Sequence, residues 1–309
     1  MQVTHGTVRP GGSPTGLTIG NFDGVHRGHR AMLNRLVGKA REMKLPCSVL
    51  TFEPHPREFF QPAAAPARLS RLREKLELIA ESGVDRTHVL HFGARLAALA
   101  ADTFIEEVLV RGLGARWLLV GRDFRFGARR TGDFSLLEAA AAAGRFDLEA
   151  MEDVRESGER ISSSGVRAAL AAGDLAGASR LLGRSYAMSG RVAHGEKLGR
   201  ALGFPTANIV LRRRAPVAGI FVVQALLEET GTLLRGVASV GRRPTVKKDA
   251  APLLEVHLFD WSGDLYGRHL RVTFLCKLRD EEKYDGLDAL RAAITRDAEQ
   301  AREYFNRNG

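Results

Sequence analysis

Apolar positions in the first half of the chain switch repeatedly between two periods. Leu17–Ile19 is a short apolar run closed by Gly20. Met32, Leu33, Leu36, Val37, Ala40 and Met43 then recur at the three- and four-residue spacing of a helix face. Cys47–Phe52 reads as a buried strand. A helix follows over 69–82, with Leu72, Leu76 and Ile79 on one face, and Thr87–Phe92 is the next strand. A helix is expected to start at Asp102 or Thr103, because Thr103 and Glu106 have capping-box spacing. Trp117–Val120 (strand), Phe134–Ala143 (helix) and Leu148–Val154 (strand) complete the series. Such alternation predicts an α/β domain whose parallel sheet carries helices on both faces. Ligands of that architecture bind beyond the carboxyl ends of the strands. The loops after Ile19, Phe52 and Val120 are therefore where chemistry is expected.

The period changes after Leu182. Two short helical stretches, over 165–172 and 174–182, end at Gly183. Short β-rich runs follow from Ala187 onward: Ile220–Leu227, Leu233–Val240, Leu253–Asp260 and His269–Leu275, separated by turn residues. They predict an antiparallel barrel or sandwich. An amphipathic helix over 287–305 closes the chain. The junction falls near Gly183–Tyr186, so domains are expected at 1–183 and 184–309.

Composition narrows the class. Over 309 residues, 44% hydrophobic and 27% charged residues make an ordinary globular mix, which excludes a disordered or collagen-like chain. The two cysteines, Cys47 and Cys276, are neither a disulfide framework nor a CxxC pair. The charge-free stretch over 215–227 is shorter than the roughly 20 residues that span a bilayer. Met1–Gly16 lacks the apolar core of a secretory signal. The expectation is a soluble, cytoplasmic protein with no membrane partner. A net charge of +10 favours polyanions, but most of the basic residues are arginine and no RNA-binding fingerprint with interleaved aromatics is present. A phosphate-bearing ligand fits this charge. The competing class, a basic nucleic-acid-binding protein, predicts affinity that falls steeply with salt.

Two constellations carry candidate chemistry. Gly20-Asn21-Phe22-Asp23-Gly24-Val25-His26-Arg27-Gly28-His29 follows the first strand and opens the first helix. Gly20, Gly24 and Gly28 let backbone approach a ligand, and the helix start offers free N–H groups to an anion. His26 and His29, three apart, can donate together to phosphate oxygens and stabilise charge at an α-phosphorus under attack. A metal site on Asp23, His26 and His29 is the weaker reading, since hydrolytic zinc helices space their histidines four apart. Further on, Ser162, Ser163 and Ser164 stand at a helix start with Arg167 a turn later, a set suited to phosphate. The second constellation is Gly195, Gly199, Arg200, Pro205, Thr206 and Asn208. It lacks a Walker loop's GK[ST] ending. Thr206 and Asn208 project to one side of an extended segment, and hard oxygens of that kind suit Mg²⁺. In Leu254–Leu258, Glu255 and His257 face away from the apolar side. Glu255 is either a solvent-facing polar residue or a carboxylate able to take a hydroxyl proton.

These motifs, in this order, resemble the bacterial bifunctional riboflavin kinase/FMN adenylyltransferase (FAD synthetase) family from about Gly16 to the final helix. GNFDGVHRGH resembles its HxGH signature, Thr51–Pro56 its FxPHP loop, and Val120–Gly127 its VGxDFxFG segment, with Asp123 where some members carry asparagine. Arg160–Arg167 resembles its ISSTxIR motif. GFPTAN, LEVHL and Arg279–Tyr284 resemble its kinase motifs. The resemblance implies a Rossmann-like nucleotidylyltransferase domain followed by a riboflavin kinase β-barrel with a C-terminal helix. It implies His26, His29 and Glu255 as catalytic. It implies Gly20, Phe22, Asp23, Gly24, Gly28, Asp123, Ser162, Ser163, Ser164 and Arg167 as binding ATP and FMN. Gly195, Gly199, Arg200, Pro205, Thr206, Asn208 and Arg279 would bind ATP and flavin in the kinase, with Mg²⁺ on Thr206 and Asn208. ATP, riboflavin, FMN and FAD are the implied substrates and products, made by a monomer or transient homo-oligomer with no nucleic-acid partner. The alternative within the family is a kinase with a silent first domain.

Overall fold

A computed structural model describes residues 1–8, 10–195, 199, 202–211, 213–241 and 252–308. Arg200 lies outside the described residues. The chain divides into two compact units, one of residues 1–66 and 72–162, the other of residues 67–71 and 163–309.

In the first unit the strands are β1 (Gln2–His5), β2 (Thr15–Ile19), β3 (Cys47–Glu53), β4 (Arg86–His91), β5 (Ala115–Gly121) and β6 (Asp147–Met151). They form one parallel sheet in the order β1-β4-β3-β2-β5-β6. Helices α1 (Arg27–Glu42), α2 (Pro56–Phe60), α3 (Leu72–Glu81), α4 (Ala94–Ala97), α5 (Ala101–Thr103) and α6 (Phe134–Ala142) connect them, and β7 (Arg155–Glu156) with β8 (Glu159–Arg160) adds a small hairpin. Strand β2 is buried along its whole length, as a central parallel strand must be. The order reverses there: β3 lies on one side of β2 and β5 on the other. Their carboxyl ends therefore flank the crevice where such sheets bind ligands.

Three expectations need correction. Strand β1 was not anticipated: Gln2–His5 is polar and mostly exposed, and it holds by pairing with β4 at the sheet edge. The capping box at Thr103 does not form. Phe104 N–H already donates to the Ala100 carbonyl, so Thr103 lies inside the helix, which runs on as a π-helix over Phe104–Val110. On α3 the buried stripe is Glu74, Lys75, Leu78 and Ile79, whereas Leu72 and Leu76 are only half-buried.

The second unit begins with α7 (Ser163–Ala171) and α8 (Leu175–Leu182), the latter capped by the Asp174 side chain and closed by Gly183 at φ 73°. Strands β9 (Ala187–Ala193), β10 (Thr206–Val210), β11 (Gly219–Leu227), β12 (Thr232–Gly241), β13 (Leu253–Leu258) and β14 (His269–Arg279) close an antiparallel barrel in the order β10-β13-β12-β11-β14-β9. The architecture is thus a barrel and not a sandwich. Its interior holds Ile209, Phe221, Val223, Leu254, Val256 and Phe274. Helix α9 (Leu287–Asn308) packs Ala298, Ala301 and Phe305 onto Val222, Val237 and Phe259.

Candidate active sites

The first cluster is built on a turn that its own core holds in place. Gly20 N–H donates to the Leu50 carbonyl, so the segment leaves β2 beside β3. Phe22, Gly24 and Val25 then take φ values of 47°, 80° and 39°. For non-glycine residues such backbone is costly and persists only where the surroundings enforce it. Phe22 and Val25 have no exposed surface and anchor the turn in the core under α1. The Phe22 ring centroid lies 5.0 Å from that of His29. Of the three glycines only Gly24 needs its positive φ. Gly20 and Gly28 are bare for another reason: a Cβ would meet the Phe22 ring at 3.0 Å and the His26 ring at 3.1 Å respectively.

His26 is the N-cap of α1, and its Nδ1 accepts the His29 N–H at 3.3 Å. With that nitrogen accepting, the proton of the neutral ring sits on Nε2. The two rings stack, centroids 3.7 Å apart and 17° from parallel. His29 Nδ1 is buried with no hydrogen-bond partner. Burial, then the neighbouring His26, then Lys75 push the His29 pKa well below its usual value. His29 is therefore neutral near pH 7, as a hydrogen-bonding ring would be rather than a cation. Asp23 is buried in the same turn. Asp123 follows β5, where Arg160 donates to it at 2.7 Å and holds its carboxyl below the usual range. Ser162 belongs to the first unit. Ser163, Ser164 and Arg167 belong to the second, where α7 begins at Ser163 and Arg167 Nε donates to the Ala67 carbonyl at 2.7 Å. His55 caps α2: its ring accepts the Arg57 N–H at 3.1 Å.

The second cluster is set by strand register. Antiparallel pairing puts Asn208 of β10 directly opposite Glu255 of β13, Glu255 opposite Ser239 of β12, and Thr206 opposite His257. Residues so opposed share a face with Cβ atoms about 5 Å apart. Leu254, Val256 and Leu258 are buried inside the barrel, so this polar face points outward, with Glu255 half-buried. His257 Nδ1 donates to the Pro205 carbonyl at 2.9 Å and pins the turn entering β10. The loop glycines make room for the site's own side chains. A Cβ on Gly195 would meet Asn208 Nδ2 at 2.5 Å, and one on Gly199 would meet Thr206 Oγ1 at 3.4 Å as well as the Phe204 carbonyl. Asn208 Oδ1 is buried and has no hydrogen-bond partner. A cavity of about 370 Å³ is lined by Ala207, Val256 and Leu258 of the inward face together with Pro205, Thr206, Trp261 and Tyr266; neither Asn208 nor Glu255 lines it.

Arg279 is anchored by a buried carboxylate. Its Nε and Nη2 donate to both carboxylate oxygens of buried Asp297 at 2.8 and 2.6 Å, and its Nη1 donates to the Asp280 carbonyl. It ties β14 to α9. The sequence motif over Arg279–Tyr284 contains Glu281 without giving it a role, and Lys75 is not singled out by the sequence at all. The Glu281 carboxylate fills the space a Cβ on Gly241 would take, and burial followed by Glu255 raises its pKa. Lys75 is fully buried in the first unit.

Residues 11–165 match the FAD synthetase family model, and residues 182–305 match the riboflavin kinase family model. Over 291 residues the chain is 52% identical to the bifunctional riboflavin kinase/FMN adenylyltransferase of Escherichia coli (strain K12), covering 94% of this chain and 92% of that one. The chain belongs to the bifunctional riboflavin kinase/FMN adenylyltransferase family. Identity to the Pseudomonas fluorescens member is 48% over 305 residues, 98% of this chain and 97% of that one. A crystal structure from Streptococcus pneumoniae, published as a macrolide-efflux protein, is 28% identical, covers 98% of this chain and 99% of its own, and superposes with a TM-score of 0.80. Among the described residues of this family member, no helix is long and apolar enough to cross a membrane. Strands β2–β6 of the parallel sheet fall in the FAD synthetase match and the barrel in the riboflavin kinase match.

Proposed function

We propose that this chain, working in the cytoplasm, converts riboflavin to FMN at the Asn208–Glu255 face and FMN to FAD at the His26–His29 turn. The observation that carries this reading is that each family-matched part holds its own phosphate-type cluster: a stacked imidazole pair at a helix start, and a carboxylate one strand away from an unpartnered amide oxygen.

In the kinase step Glu255 accepts the proton of the riboflavin 5′-hydroxyl as that oxygen bonds to the γ-phosphorus of ATP and ADP departs. Thr206 and Asn208 fit Mg²⁺ by donor chemistry: both offer hard oxygens, and Asn208 Oδ1 is a buried acceptor with no partner. When bound, Mg²⁺ neutralises phosphate charge. Asn208 and Thr206 would hold it, and His257 keeps their strand entry in place.

In the adenylyl step an FMN phosphate oxygen attacks the α-phosphorus of a second ATP, and the α–β bridging bond breaks to release pyrophosphate. No protein nucleophile takes part. The His26 and His29 rings donate hydrogen bonds as charge builds on the α-phosphate, and the dipole of the α1 start adds to that field. Asp123, Ser162, Ser163, Ser164 and Arg167 are assigned to nucleotide binding on motif alone.

The test is to incubate the pure protein with riboflavin, ATP and Mg²⁺ and to separate the flavins. FMN followed by FAD is expected. FMN alone would leave only the kinase, and folded protein that makes neither would reject the reading.

A further inference from the structure

Glu281 reaches the kinase face from outside the strands that form it. It follows β14, two residues past Arg279, and its carboxylate lies over Gly241 of β12, in the space a Cβ there would take. Gly241 and Ser239 share the outward face of β12, because Ala238 and Val240 belong to the barrel interior. Ser239 stands directly opposite Glu255, and Gly241 one pair further along, opposite Leu253. Gly241 is thus the diagonal neighbour of Glu255. Diagonal partners lie about 7–8 Å apart, within reach of long side chains. Gly241 has no side chain, so the Glu281 carboxylate itself occupies that diagonal place. Two carboxylates therefore share one outward face. Burial and then Glu255 hold the Glu281 carboxyl above its usual range, against the opposing pull of Arg279. Like charges placed together run against stability, and proteins keep such arrangements at functional sites.

We propose that Glu281 is a specificity-determining residue of the kinase site, accepting hydrogen bonds from the inner hydroxyls of the ribityl chain while Glu255 engages the terminal one. The inference rests on reading the Asn208–Glu255 face as the phosphorylation site, and it adds what recognises the rest of the polyol. The chemistry matches. An ionised carboxylate is an acceptor only, and the hydroxyls on successive carbons of an acyclic chain are donors. A hydrogen bond to a charged acceptor is stronger than one between neutral groups. An alkyl chain that ends in the same hydroxyl would still offer Glu255 its proton. It would give Glu281 nothing and set apolar carbon against the carboxylate. Sites built to bond a substrate hydroxyl reject analogues lacking it by this mismatch. Glu281 touches no reacting atom; it selects and orients the chain whose end reacts. The bare Gly241 is part of the device, since any side chain there would push the carboxylate away.

The test uses the full chain and two flavins: riboflavin, and an analogue with a 5-hydroxypentyl chain in place of ribityl. Phosphorylation by ATP and Mg²⁺ gives kcat/KM for each flavin, and quenching of flavin fluorescence gives each Kd. The native protein is expected to favour riboflavin by at least about tenfold in both measures. Glu281→Ala is expected to lose about tenfold or more on riboflavin, mostly through KM and Kd, and less than about threefold on the analogue. Retained handling of the analogue by the same variant shows that the barrel is folded. Gly241→Ala, whose methyl takes the place of the carboxylate, is expected to lose the same selectivity. A native protein indifferent to the two flavins overturns the proposal. So does either variant that keeps the native riboflavin-to-analogue ratio, including one that weakens both flavins equally. If instead Glu255→Gln phosphorylates riboflavin at the native rate, it is the reading of the face that falls.

Discussion

The two clusters are built by opposite means. In the sheet domain the functional atoms sit on a turn and a helix start, and positive φ values, a ring cap and glycines that clear space for rings hold them together. In the barrel the functional atoms sit on regular strands, and hydrogen-bonded register alone puts Asn208 opposite Glu255. The first design presents backbone N–H groups and a dipole to an anion. The second presents side chains at a fixed pitch, suited to holding a hydroxyl, a phosphate chain and a cation in line. The difference teaches which substitutions separate the activities.

The largest effect is expected at the two catalytic groups. Glu255→Gln should slow FMN formation by about 10²–10⁴-fold, the span of general-base contributions, with FMN-to-FAD conversion preserved. His29→Ala should slow FAD formation by about 10²–10³-fold while FMN accumulates. Product ratios from one riboflavin-plus-ATP incubation read both. If either variant loses both steps while folded, the assignment of residues to activities is wrong.

A smaller loss is expected where the site's scaffold is touched. Gly28→Ala places a methyl 3.1 Å from the His26 ring and should lower FAD synthesis alone, by about tenfold, roughly 1.4 kcal/mol of transition-state binding. An unchanged rate would show that the ring cap is not needed. Asp297→Ala removes the buried partner of Arg279 and should destabilise the barrel by about 2 kcal/mol, read by denaturant midpoint. The smallest effect concerns Cys47, whose thiol burial pushes up to about 11. A brief pulse of thiol reagent at pH 8 should label Cys276 ahead of Cys47, as mass spectrometry would show. The same shift predicts stability that is full below about pH 9 and declines as pH rises towards 11, because only the unfolded thiol ionises in that window.

Much of this could be read in the sequence because the relevant periods are local. Alternation in Leu254–Leu258 put Glu255 and His257 on one face, and the structure has them there. The strand–turn–helix order placed His26 and His29 at a helix start. What escaped depended on tertiary context. Gln2–His5 has no apolar pattern and becomes a strand only because β4 offers an open edge. Lys75 lies on the buried stripe of α3, and nothing local in the sequence marks it. That Asp297, 18 residues away, holds Arg279 could not be seen in the sequence. Glu281 meets Gly241 across the start of β11, which pairs with the end of β12 on one side and the end of β14 on the other.

The pairing of Asn208 with Glu255 also bears on how such a protein can change over evolutionary time. A one-residue insertion in β10 would put Ala207 or Ile209 where the amide stands and turn the amide inward, and one in β13 would turn Glu255 inward in the same way. Kinase chemistry is thereby closed to small insertions and deletions within those strands and open to point replacement. Loops tolerate length changes far better than strands do. New specificity in lineages of this fold should therefore arise by lengthening or shortening the segments between strands.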